Sequence, residues 1–373
     1  MKIDYKKSVP LYHQIVEDLH RKIASQEFKE GEWIGSQQDI ASKYGVSLIT
    51  ARKAMAILIN EGLLVGQVGR GMFVASGSRP AAKPEFKTIG LVLPDLQDPF
   101  FSRMVYSIEA KASEYGFSML LSNSSETIEK EEYQIDRYRR MNVAGLIIAS
   151  MGRLHHGTPA IQALKRDNFP FVMISFIEDP DIYYVGTDHA QGAFLATEHL
   201  IKLGHLDIGY ISTEPGDVLG ELRKNGYRRA LDKYGMRFNE ASVYYLRSNS
   251  YQAGYEIGLQ FSQSRTRPTA IFAYDDSSAL GFERAVVDSG LQIPEDVSLV
   301  GFDNIEAGVY APVPLTTIHQ PTYEIGCLAF EVLWKLSRGE QPQVRTILEP
   351  RLIVRKSCGA TSESSTRSGI SYN

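Results

Sequence analysis

The sequence predicts a large α/β domain preceded by a small α+β head, and three observations carry that prediction. Residues 10–74 read as amphipathic helices followed by a hairpin. Residues 76–87 are rich in Ala, Pro and Ser without apolar periodicity, which reads as an extended linker. From Thr88 onward, short wholly apolar runs alternate with helical segments, the pattern of a parallel sheet covered on both faces. At 373 residues the chain is long enough for two or three folded units.

In the head, Leu11, Ile15, Leu19 and Ile23 recur every four residues and define one helix. Ser36 is placed to cap a second helix that ends at Tyr44, with Gly45 as its stop. A third begins at Val46-Ser47. Its buried stripe is Ala51, Ala54, Met55 and Leu58, which leaves Leu48, Ile49, Arg52 and Lys53 facing outward. Leu63–Val65 and Met72–Val74 flank Val68-Gly69-Arg70-Gly71 as a hairpin. In the large domain the strand candidates are 89–93, 117–121, 145–149, 171–174, 208–211, 270–273 and 299–301.

Charge is distributed unevenly. Residues 1–87 carry a net +4 and the remainder −8, as expected of a phosphate-contacting head on a body that has no such task. Only Cys327 and Cys358 occur, so no disulfide framework is implied and a reducing compartment fits. No signal-peptide run or membrane span is apparent, so a cytoplasmic protein is expected.

Two helices joined at a glycine place the N-terminal residues of the second against base edges in a DNA major groove. Those residues are Ser47, Leu48, Ile49, Thr50, Arg52 and Lys53. The ordered set Pro10-Leu11-Tyr12, Gln14-Ile15, Gly45-Val46-Ser47, Thr50–Ala54, Glu61-Gly62-Leu63 and Gly69–Val74 resembles the GntR family of winged-helix repressors. The resemblance implies DNA contacts from Ser47, Thr50 and Arg52, and from Gly69 and Arg70 at the wing tip. Where that family commonly carries cations this chain has Gln38 and Leu48. A glutamine reads adenine and a leucine touches a thymine methyl, so an altered operator is expected.

Strand ends of an open parallel sheet are where ligands bind. Asp98-Pro99-Phe100-Phe101 follows the first strand. Asp98 reads equally well as a helix cap or a ligand contact, and flat Phe100 and Phe101 rings suit the C–H faces of a sugar. With Gly186-Thr187-Asp188, Arg223–Tyr227, Tyr274–Gly281, Val300–Asn304 and Leu315–Pro321, this order resembles the effector domain of the LacI family and the periplasmic sugar-binding proteins. The two likenesses together are the arrangement of arabinose-repressor-like regulators.

The fold implied is two Rossmann-like lobes joined by three crossovers. Lobe 1 is expected at about 88–189 and 321–345, and lobe 2 at about 190–319 and 346–356. The head spans 1–75, and 357–373 is read as a disordered tail. Phe100, Phe101, Asp188, Arg223, Asp276, Asp303 and Gln320 are implied near the cleft, where carboxylates accept from hydroxyls and Arg donates. About two of Asp98, Asp188, Asp276 and Asp303 are expected to serve mainly as caps or turns. Sugar-responsive relatives often place an acidic residue where Ser175 stands, and Phe176 beside it keeps a stacking role.

His155, His156 and His189 lack metal-ligand spacing and read as loop or core residues, so no metal or cofactor is expected. No nucleophile elbow or Walker loop supports an enzyme. The expectation is a sugar-responsive regulator that pairs with double-stranded operator DNA as a homodimer held by its effector domains. The rival is a sugar-binding protein for transport or chemotaxis, and a sugar-modifying enzyme ranks third.

Overall fold

The computed structural model describes residues 11–359 other than 61–62, 68–69, 76–86 and 151–155. Gly69, His155, the linker and residues 360–373 therefore lie outside the described residues. The chain divides into two compact units that meet between Phe86 and Lys87. Among the described residues no helix is long and apolar enough to cross a membrane.

The head contains α1 (Leu11–Ala24), β1 (Trp33–Gly35), α2 (Gln37–Tyr44), α3 (Leu48–Asn60), β2 (Leu64–Gln67) and β3 (Gly71–Val74). Ser36 caps α2 through the Asp39 N–H while the Asp39 carboxylate takes the Ser36 N–H, a reciprocal box that fixes where the helix starts. Gly45 ends it in the left-handed region, at φ 65°. Ile15, Leu19, Ile40, Ala51, Met55 and Leu58 form the core with Leu64 and Val74 from the hairpin. The three strands are antiparallel in the order β1-β3-β2. Sequence patterning had no place for β1, whose three residues are too few to show a period.

The second unit holds two parallel sheets. The first runs β5-β4-β6-β7-β8-β14, from β4 (Lys87–Leu93), β5 (Phe117–Asn123), β6 (Gly145–Ile148), β7 (Phe171–Met173), β8 (Tyr184–Thr187) and β14 (Arg345–Leu348). Its helices are α4 (Ser102–Glu114), α5 (Ile128–Arg140), α6 (Pro159–Arg166) and α11 (Thr322–Ser337). The second runs β10-β9-β11-β12-β13-β15, from β9 (Ile208–Ser212), β10 (Val243–Tyr245), β11 (Ala270–Ala273), β12 (Ser298–Asp303), β13 (Thr316–His319) and β15 (Arg351–Ile353). Its helices are α7 (His189–Lys202), α8 (Val218–Lys233), α9 (Tyr251–Gln263) and α10 (Asp276–Asp288). Among the described strands of this unit, only β15 pairs antiparallel.

The wholly apolar strand runs have a plain cause. Ile89, Leu91, Ile147 and Val172 enter one core while Val92, Leu146, Ile148 and Met173 enter another on the opposite face. In the second sheet, Ile211, Ile271 and Leu299 alternate likewise with Tyr210, Phe272 and Val300. On α8, Gly226 lets α7 approach so closely that a Cβ there would lie 2.0 Å from the Ala190 carbonyl oxygen.

The chain crosses between the lobes at β8→α7, β13→α11 and β14→β15. Three boundaries differ from expectation. β4 already starts at Lys87. Residues 346–348 belong with lobe 1, because β14 pairs in parallel with β8 through Leu348. Ser357 and Cys358 are not tail: both are buried, and the Ser357 hydroxyl donates to the Leu299 carbonyl while accepting from the Thr316 N–H.

Candidate functional site

The head presents the N-terminus of α3 to solvent. Ser47 caps this helix, its hydroxyl 3.2 Å from the Thr50 N–H and 2.8 Å from the Thr50 hydroxyl. Leu48 and Ile49 are 39% and 79% exposed. Arg52 and Lys53 stand on the same exposed surface, with Gln38 exposed on α2. Arg52 Nε donates to Gln37 Oε1 at 3.3 Å, and Lys53 Nζ sits 4.1 Å from the Tyr12 ring centroid. Arg70 is exposed in the β2–β3 turn, and its carbonyl accepts from Trp33 Nε1 at 2.8 Å. The roles of Gln37 in orienting Arg52 and of Trp33 in holding the wing were invisible in the sequence, because both depend on contacts across the fold.

Between the two lobes of the second unit lies a cavity of about 430 Å³. Its walls come from the carboxyl ends of strands in both sheets, where loops after β4, β6, β7 and β8 face loops after β9 to β13. Of the residues singled out in the sequence, Asp98, Phe100, Phe101, Arg223, Asp303 and Gln320 line it.

Phe100 and Phe101 pack edge to face, with centroids 5.1 Å apart, at the mouth of β4. Asp98 accepts the Phe100 N–H at 2.9 Å, so it is both a cap and a wall residue. Burial pushes its carboxyl up to about 6. Arg223, 3% exposed, lies 3.8 Å from the Phe302 ring centroid and 4.3 Å from that of Tyr274. Its Nη1 donates to the Tyr274 carbonyl and its Nη2 approaches Asp303 Oδ1 at 3.6 Å.

Asp303 also accepts from Gln320 Nε2 at 2.6 Å. Burial holds its carboxyl well above the ordinary range, although the Arg223 cation pulls the other way. Asp303 and Asn304 have φ of 113° and 59°, left-handed geometry that costs about 1–3 kcal/mol for a non-glycine residue.

Three implied residues lie outside the cavity. Asp188 is exposed and caps α7 through the Gln191 N–H at 2.8 Å. Asp276 is fully buried behind the wall, accepting the Thr317 hydroxyl at 2.6 Å and the Ile305 N–H at 2.9 Å. Burial raises its carboxyl to about 7. Gly301 makes room for it, since a Cβ there would stand 2.1 Å from Asp276 Oδ1. Phe176 turns away into the core beside Tyr184, with the Arg345 guanidinium 5.5 Å from its ring centroid.

The cavity also gathers residues that sequence reasoning passed over. Asp275, and not its neighbour Asp276, lines it while capping α10 through the Ser278 N–H at 2.7 Å. His189, read as a loop or core histidine, is buried against Phe302 and also lines the cavity. Burial, then the Arg223 cation, hold its imidazole well below its usual range and therefore neutral. Thr187 Oγ1, Thr213 Oγ1 and Arg223 Nε are buried at this wall without a hydrogen-bond partner. Unpaired polar groups of this kind are costly unless a ligand or water serves them.

Residues 11–74 match the model of bacterial regulatory proteins of the gntR family, and residues 197–358 that of the periplasmic binding protein-like domain. The chain is 32% identical over 363 residues to an arabinose metabolism transcriptional repressor of Geobacillus stearothermophilus, covering 94% of this chain and 98% of that protein. Among solved structures, a LacI family transcriptional regulator from Enterococcus faecium with bound ribose is similar at TM-score 0.65 and 32% identity, covering 73% of this chain and 98% of that one. The complex of the transcriptional regulator CelR with cellobiose is similar at TM-score 0.66 and 27% identity, covering 84% and 91%.

Proposed function

Because the chain belongs to the gntR family of bacterial regulators, in the arrangement that carries a periplasmic-binding-protein-like domain behind the DNA-binding head, we propose how it works as a ligand-responsive repressor of carbohydrate-utilisation genes. The N-terminus of α3 reads operator DNA in the major groove through Ser47, Leu48, Ile49, Thr50, Arg52 and Lys53. Gln38 and the wing residues Gly69 and Arg70 contact the flanking groove or backbone. A sugar-like effector sits in the interlobe cavity. Phe100 and Phe101 stack against it, and Asp98, Asp275, Asp303, Arg223 and Gln320 meet its hydroxyls.

One observation supports the cavity reading above the rest. Two aromatic rings and three buried polar atoms without a hydrogen-bond partner, on Thr187, Thr213 and Arg223, line one cavity. An apolar face with convergent donors and acceptors suits a sugar ring. In this reading the protein binds its effector without transforming it, acts in the cytoplasm, and pairs through its effector domains. A pair of chains presents two α3 helices to a pseudo-palindromic operator.

A thermal-shift screen of the full chain against mono- and disaccharides, followed by operator titration with and without the sugar found, tests this reading. A sugar that raises the melting temperature and changes operator affinity is expected. Loss of neither signal in the Arg223→Ala variant would remove the cavity from the account.

A further inference from the structure

The start of α3 exposes hydrocarbon rather than hydrogen-bonding groups. At 79% exposure, Ile49 is the most exposed large apolar side chain among the described residues of the head, and Leu48 beside it is exposed too. Neither belongs to the head's core, so packing within the fold does not account for them. Helix formation does not either, because a β-branched residue is a poorer helix former than alanine.

The polar groups around the pair are largely committed. The Ser47 and Thr50 hydroxyls bond each other at 2.8 Å, and Ser47 Oγ also accepts the Thr50 N–H. One turn along the helix, Arg52 Nε donates to Gln37 Oε1 at 3.3 Å. α3 carries no acidic residue, and its cations Arg52 and Lys53 are exposed on the same surface as Leu48 and Ile49. Hydrocarbon flanked by cations and free of carboxylates is complementary to a polyanion that shows an apolar group in its groove. In the major groove of DNA that group is the C5-methyl of thymine. Successive helix residues diverge by about 100° with a rise of about 1.5 Å, so Leu48 and Ile49 reach different base pairs.

From this arrangement we infer that Leu48 and Ile49 together read the C5-methyl groups of two pyrimidines in each operator half-site. The contact senses the methyl group and not the hydrogen-bonding edge of the base. At those two positions 5-methylcytosine therefore substitutes for thymine, whereas uracil and cytosine do not. The inference deepens the reading of operator DNA by α3 proposed above and rests on it.

The test uses a duplex that the full chain selects from a random-sequence library, titrated by fluorescence anisotropy. Each thymine of the selected half-site, on either strand, is replaced singly by deoxyuridine, which removes the methyl group and keeps every hydrogen-bonding group. Two positions are expected to lose about fourfold in affinity each, the effect of burying one methyl group. The loss is expected to be the same at low and high salt, because no phosphate contact changes. A C·G pair at either position weakens binding, and methylating that cytosine at C5 restores it. In Leu48→Ala/Ile49→Ala, which keeps a good helix former at both sites, thymine and deoxyuridine duplexes are expected to bind alike. Deoxyuridine tolerated at every position, or discrimination kept in the double variant, overturns the inference and leaves α3 as the reader of DNA. A chain that selects no sequence overturns that reading, and this inference with it.

Discussion

The head and the effector cavity build their chemistry in opposite ways. On α3, the residues assigned to DNA are exposed and tied to the fold by few contacts, such as the Arg52–Gln37 bond and the Lys53–Tyr12 contact. In the cavity, Arg223 and Gln320 are buried, Asp303 is half-buried, and the three hold one another. The difference separates function from stability in the head and merges them in the cavity. A reading surface can change its operator without cost to the fold, whereas a sensing wall cannot lose one member without unsettling the rest.

Substitutions that break this contrast rank as follows. Arg223→Ala is expected to lose the effector response and to destabilise the protein by about 2–5 kcal/mol, because it leaves a void beside the Phe302 and Tyr274 rings and the Tyr274 carbonyl without its donor. Chemical denaturation and calorimetry check both. Normal stability in this variant would mean that the cavity is no more interlocked than the head. Arg52→Ala is expected to weaken operator binding by about 1–3 kcal/mol while shifting stability by less than about 0.5 kcal/mol, read by gel shift and melting. Asp188→Ala removes only a helix cap, so a loss of about 1 kcal/mol with unchanged sugar affinity is expected. A tenfold loss of sugar affinity would return Asp188 to the site.

A further effect is one of pH. The Asp98 carboxyl is raised from 3.8 to about 6 by burial, so the folded state binds more protons than the unfolded one between those values. Stability should therefore fall as pH rises from about 4 to about 6. Asp98→Asn should flatten that slope. An identical pH profile in the variant would move the cause to another group.

How much of this was legible in the sequence depended on whether the signal was local. Ser36 and Gly45 mark the ends of α2 by their own chemistry, and the strands β4, β6 and β11 announce themselves as apolar runs between helices. β1, β14 and β15 are three or four residues long, and the last two are partly exposed at sheet edges, too short for a period to show. Asp275 and Asp276 show the limit most clearly. Both are aspartates at the start of one helix, and only the fold decides that the first faces the cavity while the second turns back toward Thr317. Arg223 was recognisable from its neighbours in the chain, but its stacking between Phe302 and Tyr274 was not.

The account stands or falls on coupling between the two regions. Operator affinity measured with and without saturating sugar, and sugar affinity measured with and without operator, must change by the same factor if one equilibrium links them. The prediction is an equal factor of at least about fivefold in both directions, reduced to one in Arg223→Ala with operator binding retained. A factor of one in the unaltered protein, with both ligands bound, would contradict the claim that this chain is a ligand-responsive regulator.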